Sequence, residues 1–177
     1  LPVKRTLKGS CAPVTYRSEG LAKRLGLNNL YITFNGWFPE IGATFKTASF
    51  KETEAYSVCG RLSADEKRIL VVASAGNTAR AFASVCSRNN IPLLVTIPFD
   101  NLNAMWFDQP LNPCVKVIAS PAGSDYFDAI ALGDKVCTSP EFFAEGGAKN
   151  VARRDGMGTT LLSAVEKIGA IPDFYFQ

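Results

Sequence analysis

The run Ile69-Leu70-Val71-Val72-Ala73 most narrows what this chain can become. A continuous apolar stretch with no alternation suits a strand buried on both faces, and such strands belong to parallel sheets covered by helices. Two more strands follow, Leu93-Leu94-Val95-Thr96-Ile97 and Val115-Lys116-Val117-Ile118. Ala79 to Asn89 has helical spacing with Phe82, Val85 and Cys86 on one face, and Asp125 to Val136 has it with Phe127, Ile130 and Ala131 inward. Strands alternating with helices predict βαβ units: an α/β fold with a mainly parallel sheet and flanking helices.

The flanks are read in the same way. Val14-Thr15-Tyr16 is a short extended piece, Leu21 to Leu25 a turn of helix stopped by Gly26, and Leu30 to Phe34 a strand. Trp37 to Gly42 reads as a loop, and a short helical piece is expected near Ala104-Met105-Trp106. Glu145 to Asn150 reads as a flexible loop, Thr159 to Ile168 as a helix with Leu161, Leu162 and Val165 that ends at Gly169, and Phe174-Tyr175-Phe176 as a last strand. At 177 residues the chain can bury one core with a subdomain. It stops at Gln177, beside an apolar strand whose carboxyl edge is where α/β folds place ligands, so a fragment is expected.

Composition removes several function classes. The net charge of +3 is dispersed, with nothing longer than pairs such as Lys23-Arg24 and Arg153-Arg154, which argues against nucleic-acid binding. No apolar run approaches the roughly 20 residues of a membrane span. The first residues lack the pattern of a signal peptide, so a cytoplasmic protein is expected. Cys11, Cys59, Cys86, Cys114 and Cys137 contain no C-x-x-C pair, which supports free thiols rather than a disulfide framework or zinc knuckle. Histidine is absent, so Ser-His and Cys-His catalytic pairs and the common zinc sites are excluded. Acid–base chemistry falls to lysine, carboxylate, tyrosine or a cofactor.

Three stretches can carry chemistry. Ser49-Phe50-Lys51-Glu52 has the spacing of a capping box, which predicts a helix from Ser49 to about Val58, stopped by Gly60, with Lys51 in its first turn. The helix dipole disfavours an ammonium there and so favours a nucleophilic amine; the alternative is a solvated surface lysine. Lys46 is a second candidate, less favoured because it precedes the helix and lacks the following glutamate. Ser74-Ala75-Gly76-Asn77-Thr78 joins a buried strand to a helix, where free N–H groups make an anion site, or else simply cap the helix. Glu145 to Arg154 combines glycines with Lys149, Asn150, Arg153 and Arg154, suited to phosphate or carboxylate, or else a solvated basic loop. Gly156-Met157-Gly158 lacks the third glycine of a dinucleotide loop. An amine nucleophile with two anion sites suits pyridoxal phosphate (PLP), which carries an aldehyde, a phosphate and a ring oxygen.

The same stretches, S-F-K-E, A-S-A-G-N-T-A and E-G-G-A-K-N-V-A-R-R-D-G-M-G-T in that order, resemble PLP enzymes of the tryptophan synthase β-like fold. The chain resembles the cysteate synthases of methanogenic archaea more than it does threonine synthases, through G-A-x-x-K-T-x-S-F-K-E-x-E-A, A-S-A-G-N-T-x-R-A-F-A, E-G-G-A-x-N-V-A-R-R-x-G-M-G-T and the closing P-D-x-Y-F-Q. That resemblance implies pyridoxal 5'-phosphate as cofactor, Lys51 as the catalytic Schiff-base lysine and Asn77 against the ring hydroxyl. It implies Ser74, Thr78, Asn150 and Arg153 near substrate carboxylate or phosphate, and no metal. The implied reaction converts O-phospho-L-serine and sulfite to L-cysteate and phosphate, towards coenzyme M, with Lys51 removing the α-proton and sulfite attacking Cβ. Threonine synthases, which act on O-phosphohomoserine, follow the lysine with Asp-Arg where this chain has Glu52-Thr53, and have Asn-Ser where it has Gly147-Ala148. Threonine synthase and a non-catalytic anion-binding module remain as alternatives, and homo-oligomerisation is left open. The family's glycine-rich phosphate loop follows the motif that ends here at Gln177. Residues 1–177 are therefore expected to be an incomplete PLP-enzyme unit with weak or no cofactor binding, and 79–144 a mobile α/β subdomain within it.

Overall fold

The expected sheet is present and wholly parallel. The computed structural model describes residues 2–177. In chain order the elements are β1 (Val14–Arg17), α1 (Glu19–Leu25), β2 (Tyr31–Phe34), β3 (Trp37–Phe38), β4 (Ala43–Thr44), α2 (Lys51–Arg61), β5 (Ile69–Ala73), α3 (Asn77–Asn89), β6 (Leu93–Pro98), β7 (Val115–Ser120), α4 (Tyr126–Val136), β8 (Phe142–Ala144) and α5 (Val151–Ile168). Short 3₁₀ turns lie at Pro39–Ile41, Phe99–Ala104 and Gly147–Lys149. The four-stranded sheet has the order β7-β6-β5-β8, with Leu70 opposite Leu93 on one side and Phe143 on the other. The apolar run is thus an interior strand, and Leu70, Val71 and Val72 are buried.

Helix α3 lies between the sheet and α2. Its Phe82, Val85 and Cys86 are fully buried with Leu70, Val72, Leu93 and Val95, and α2 adds Ala55, Val58 and Cys59. Full burial of each large side chain, such as Phe82 or Leu93, contributes about 1.5–3 kcal/mol. The thiols of Cys59 and Cys86 meet across α2 and α3 at 3.7 Å, and all five cysteines are free. Helix α5 packs on the other side of α2 and meets the small β1–β2 ribbon, where Ser163 Oγ and Thr15 Oγ1 are 3.0 Å apart.

Several expectations need correction. Trp37 to Gly42 includes strand β3, which pairs with β4. The helical turn before Trp106 is a 3₁₀ piece ending at Ala104. Strand β8 falls beside the Glu145 loop, which itself holds a 3₁₀ turn and runs directly into α5 at Val151. Helix α2 continues through Gly60 to Arg61. On α4, Phe127 is 75% exposed, while Ala129 and Gly133 face inward. Small residues win that face because α4 lies close on the sheet: a Cβ on Gly133 would sit 3.2 Å from Thr96 Oγ1 and 3.6 Å from Val71 Cγ1. On α5 the inward residues are Ala152, Gly156, Thr160 and Ala164, while Leu161 and Leu162 face outward. Phe174 to Phe176 forms no strand, since nothing among the described residues pairs with it, and Phe174 and Phe176 are exposed.

Candidate active site

The start of α2 differs from the predicted capping box. Ser49 Oγ accepts from Lys51 N at 3.3 Å, but the Glu52 carboxylate turns away from Ser49. Glu52 is fully buried, and its Oε2 accepts from Thr47 N at 2.6 Å and Thr47 Oγ1 at 2.9 Å. Ala48 holds the intervening turn at φ 51°, a left-handed conformation costing a non-glycine residue about 1–2 kcal/mol. The helix therefore opens at Lys51, two residues after the predicted start at Ser49, with Glu52 clamping the approach from inside.

Lys51 is neither isolated nor simply solvated. Its Nζ lies 2.6 Å from Glu54 Oε1 and 4.4 Å from the Phe50 ring centroid, and its side chain is 24% exposed. The other Glu54 oxygen accepts from Arg153 Nε at 2.6 Å. Arg153 Nη1 donates to Glu145 Oε2 at 3.0 Å, and Nη2 donates to Thr78 Oγ1 at 3.0 Å. One network therefore ties Lys51 on α2 to Thr78 at the head of α3 and to Arg153 on α5. Burial works against the charge of Arg153, but Glu145 and Glu54 outweigh it and hold the guanidinium above its ordinary value. Burial pushes the Glu145 carboxyl upward, against the pull of Arg153.

The predicted anion loop sits at the carboxyl end of β5. Ser74 and Thr78 are buried, and Ser74 Oγ accepts from Gly76 N at 3.2 Å. Helix α3 has no side-chain cap and no acidic residue in its first turn, so its positive end is not neutralised from within the helix. Asn77, the first residue of α3, is exposed, with Oδ1 3.4 Å from Arg80 Nη1. Asn150 stands apart from this edge in role: its Oδ1 caps Ala152 N of α5 at 2.9 Å, and its Nδ2 donates to the Glu145 carbonyl at 2.6 Å. Lys46 lies 3.7 Å from Asp108 Oδ2 and over the Trp37 ring, lining a surface cavity of about 660 Å³ with Arg88 and Asn112. Sequence reasoning missed Glu54, Glu145 and Arg80. For Glu54 a signal existed, since a residue three places after Lys51 shares its helix face.

A family model described as pyridoxal-phosphate dependent enzyme matches residues 15–177. The chain belongs to that family. A cysteate synthase from Methanosarcina barkeri is 44% identical over 177 residues, and one from Methanococcoides burtonii is 47% identical over 179 residues. Both alignments cover the whole chain and 42% of the relative. The chain thus spans about two fifths of the length of these curated relatives. Among solved structures, Escherichia coli diaminopropionate ammonia lyase in complex with an aminoacrylate-PLP azomethine reaction intermediate superposes with a TM-score of 0.66 at 17% identity. That match covers 92% of this chain and 45% of the lyase. Maize serine racemase gives 0.63 at 16% identity, covering 89% and 45%. These likenesses establish the PLP-enzyme fold, and the family's cofactor is pyridoxal phosphate.

The residues present fit that cofactor. A lysine amine with an adjacent carboxylate answers an aldehyde, and the uncapped, acid-free start of α3 answers an anionic group. Glu54 and Arg153 hold the two regions together through a bridge with no solvent gap.

Proposed function

We propose that this chain supplies the lysine side of a PLP-dependent β-replacement site that converts O-phospho-L-serine and sulfite to L-cysteate and phosphate, towards coenzyme M, in the cytoplasm. The observation that carries the proposal is the Lys51–Glu54–Arg153–Thr78 network, which couples the amine to the anion-binding head of α3. Identity to cysteate synthases along the whole chain supports the choice of substrates.

When bound, PLP supplies the electron sink that makes the substrate α-proton removable. Lys51 Nζ would hold the cofactor and would serve as the base that takes the substrate α-proton. Glu54 Oε1 then stabilises the resulting ammonium and fixes where it sits. The substrate carboxylate is received by the N–H groups from Gly76 to Thr78 with the Ser74 and Thr78 hydroxyls, and Asn77 offers its amide to the ring hydroxyl. Arg153 spends its donors on Glu54, Glu145 and Thr78, so it orients the Thr78 hydroxyl from behind, and Asn150 fixes the helix that carries Arg153. In the overall exchange the Cβ–O bond breaks with its electron pair leaving on phosphate, the sulfite lone pair forms the C–S bond, and the proton held at Lys51 Nζ returns to Cα.

Borohydride reduction, with PLP, of the protein that carries this sequence, followed by peptide mapping, tests the assignment. A label is expected on Lys51 and lost in Lys51→Ala; a label on Lys46 instead overturns it. Offering the protein that carries this sequence phosphoserine with sulfite, or phosphohomoserine, tests the substrates, and release of threonine moves the reading to threonine synthase.

A further inference from the structure

Arg80 sits one turn into α3, where a helical side chain leans back towards the N-terminus. Its Nη1 is 3.4 Å from Asn77 Oδ1, and its Nε donates to the Trp106 carbonyl at 3.2 Å. The Trp106 ring covers one face of the guanidinium, with the centroid 3.4 Å from Cζ. The residue is only 5% exposed, and Nη2 is the only buried side-chain nitrogen without a hydrogen-bond partner among the described residues. A charged donor buried without an acceptor is costly, and such groups persist where something else completes them.

Three other candidate cations are already committed. Arg153 spends Nε, Nη1 and Nη2 on Glu54, Glu145 and Thr78, Lys51 is paired with Glu54, and Lys46 is paired with Asp108. The reaction read above brings together three anionic groups: the substrate carboxylate, the phosphate that leaves and the sulfite that enters. The substrate carboxylate has candidate partners in the Ser74–Thr78 loop, which leaves the two phosphorus and sulfur oxyanions. We propose that Arg80 Nη2, framed by Asn77 and the Trp106 ring, is the subsite for the entering small oxyanion, sulfite. The inference rests on the β-replacement reading. Stacking on Trp106 restrains the guanidinium plane, and the enclosed Nη2 keeps an unsatisfied N–H that a small oxyanion could accept from. Trp106 follows β6, at the carboxyl edge of the sheet where the Ser74–Thr78 loop also lies. Burial works against the charge of Arg80, and the Glu52 carboxylate acts on it in the opposite direction.

Steady-state kinetics of the protein that carries this sequence tests the subsite. Arg80→Met is expected to raise KM for sulfite by about tenfold or more while KM for phosphoserine changes by less than about twofold. An unchanged sulfite KM, or a rise confined to phosphoserine, overturns the proposal, the latter because the arginine then serves the leaving phosphate. A binding readout accompanies it. With Trp37→Phe, Trp106 is the one tryptophan of this chain, and sodium sulfite should quench its fluorescence saturably with Arg80 and not with Met at that position. Saturation that survives Arg80→Met overturns the proposal. Should Arg80→Met lose its far-ultraviolet dichroism, Arg80→Lys decides: it keeps the charge without the fork, a sulfite KM raised about threefold or more supports the subsite, and an unchanged one overturns it. Failure of the underlying reading looks different. A protein that makes threonine from phosphohomoserine and no cysteate removes the β-replacement reading, whereas Arg80-dependent quenching by sulfite would still uphold the oxyanion site.

Discussion

Glu52 and Glu54 are neighbours on one helix with opposite assignments. Glu54 is spent outward, holding Lys51 with one oxygen and Arg153 with the other, while Glu52 is spent inward on Thr47. Burial is the largest influence on Glu52 and pushes its carboxyl above the ordinary 4.5, with the Thr47 hydrogen bonds, Arg88 and Arg80 pulling the other way. A raised folded-state value means that the folded chain binds the proton more tightly than the unfolded one. The contribution of Glu52 to stability is therefore fully present below about pH 4.5 and lost as pH rises through the raised value. Glu52→Gln keeps an acceptor for Thr47 and cannot ionise. Urea unfolding from about pH 4.5 to 8 should thus show a shallower loss of stability in Glu52→Gln than in the parent. Glu145, raised in the same direction, keeps its share in both proteins. Parallel profiles would rule out Glu52 as a source of the slope.

At the scale of elements, α2 and α5 meet through a glycine. A Cβ on Gly156 would sit 2.7 Å from Glu54 Cα and 2.8 Å from Ser57 Cβ, and would also strike the Thr53 carbonyl. Gly158, two positions on and on the exposed face, has nothing within 4 Å of such a Cβ. Gly156→Ala should destabilise the chain by about 1–3 kcal/mol through overpacking and weaken PLP labelling of Lys51, because it pushes α5 and Arg153 off Glu54. Gly158→Ala should stabilise it by about 0.5–1 kcal/mol, as alanine favours an exposed helix interior. Equal effects in thermal or urea unfolding would refute the contact. This glycine also explains part of what the sequence concealed. Gly156 and Gly158 made the first half of α5 look like a loop, although one is needed for close packing and the other is merely tolerated. Strands β5, β6 and β7 were legible because continuous apolar runs have few other uses. Strand β8 was not, since Phe142-Phe143-Ala144 is too short to show a period. The faces of α4 and α5 were misjudged by ranking residues on apolarity, when closeness of packing selected alanine and glycine. In the site, the positions of Lys51 and of the Ser74–Thr78 loop were legible from local spacing. The contacts of Arg153 with Glu54 and with Thr78 form only through long-range packing.

For the whole molecule, the parallel sheet with α3 and α4 sits on one side of the site, and α2 with α5 on the other. We propose that residues 79–144 move as one α/β body against the α2–α5 layer when anions bind at the head of α3. Native-state hydrogen exchange should then give the slow amides of β6, β7 and α4 a common opening free energy that differs from that of α5. A broad spread within 79–144 would refute a single body. No helix among the described residues is long and apolar enough to cross a membrane.

The Glu54–Arg153 bridge spans 99 positions of sequence. A ribosome adding roughly 5–20 residues each second needs about 5–20 s to cover that distance. Throughout that interval the nascent α2 has its lysine and its glutamate but not the arginine that later anchors them. The amine proposed to hold the cofactor is thus made early and braced late, and its geometry is set only once α5 arrives.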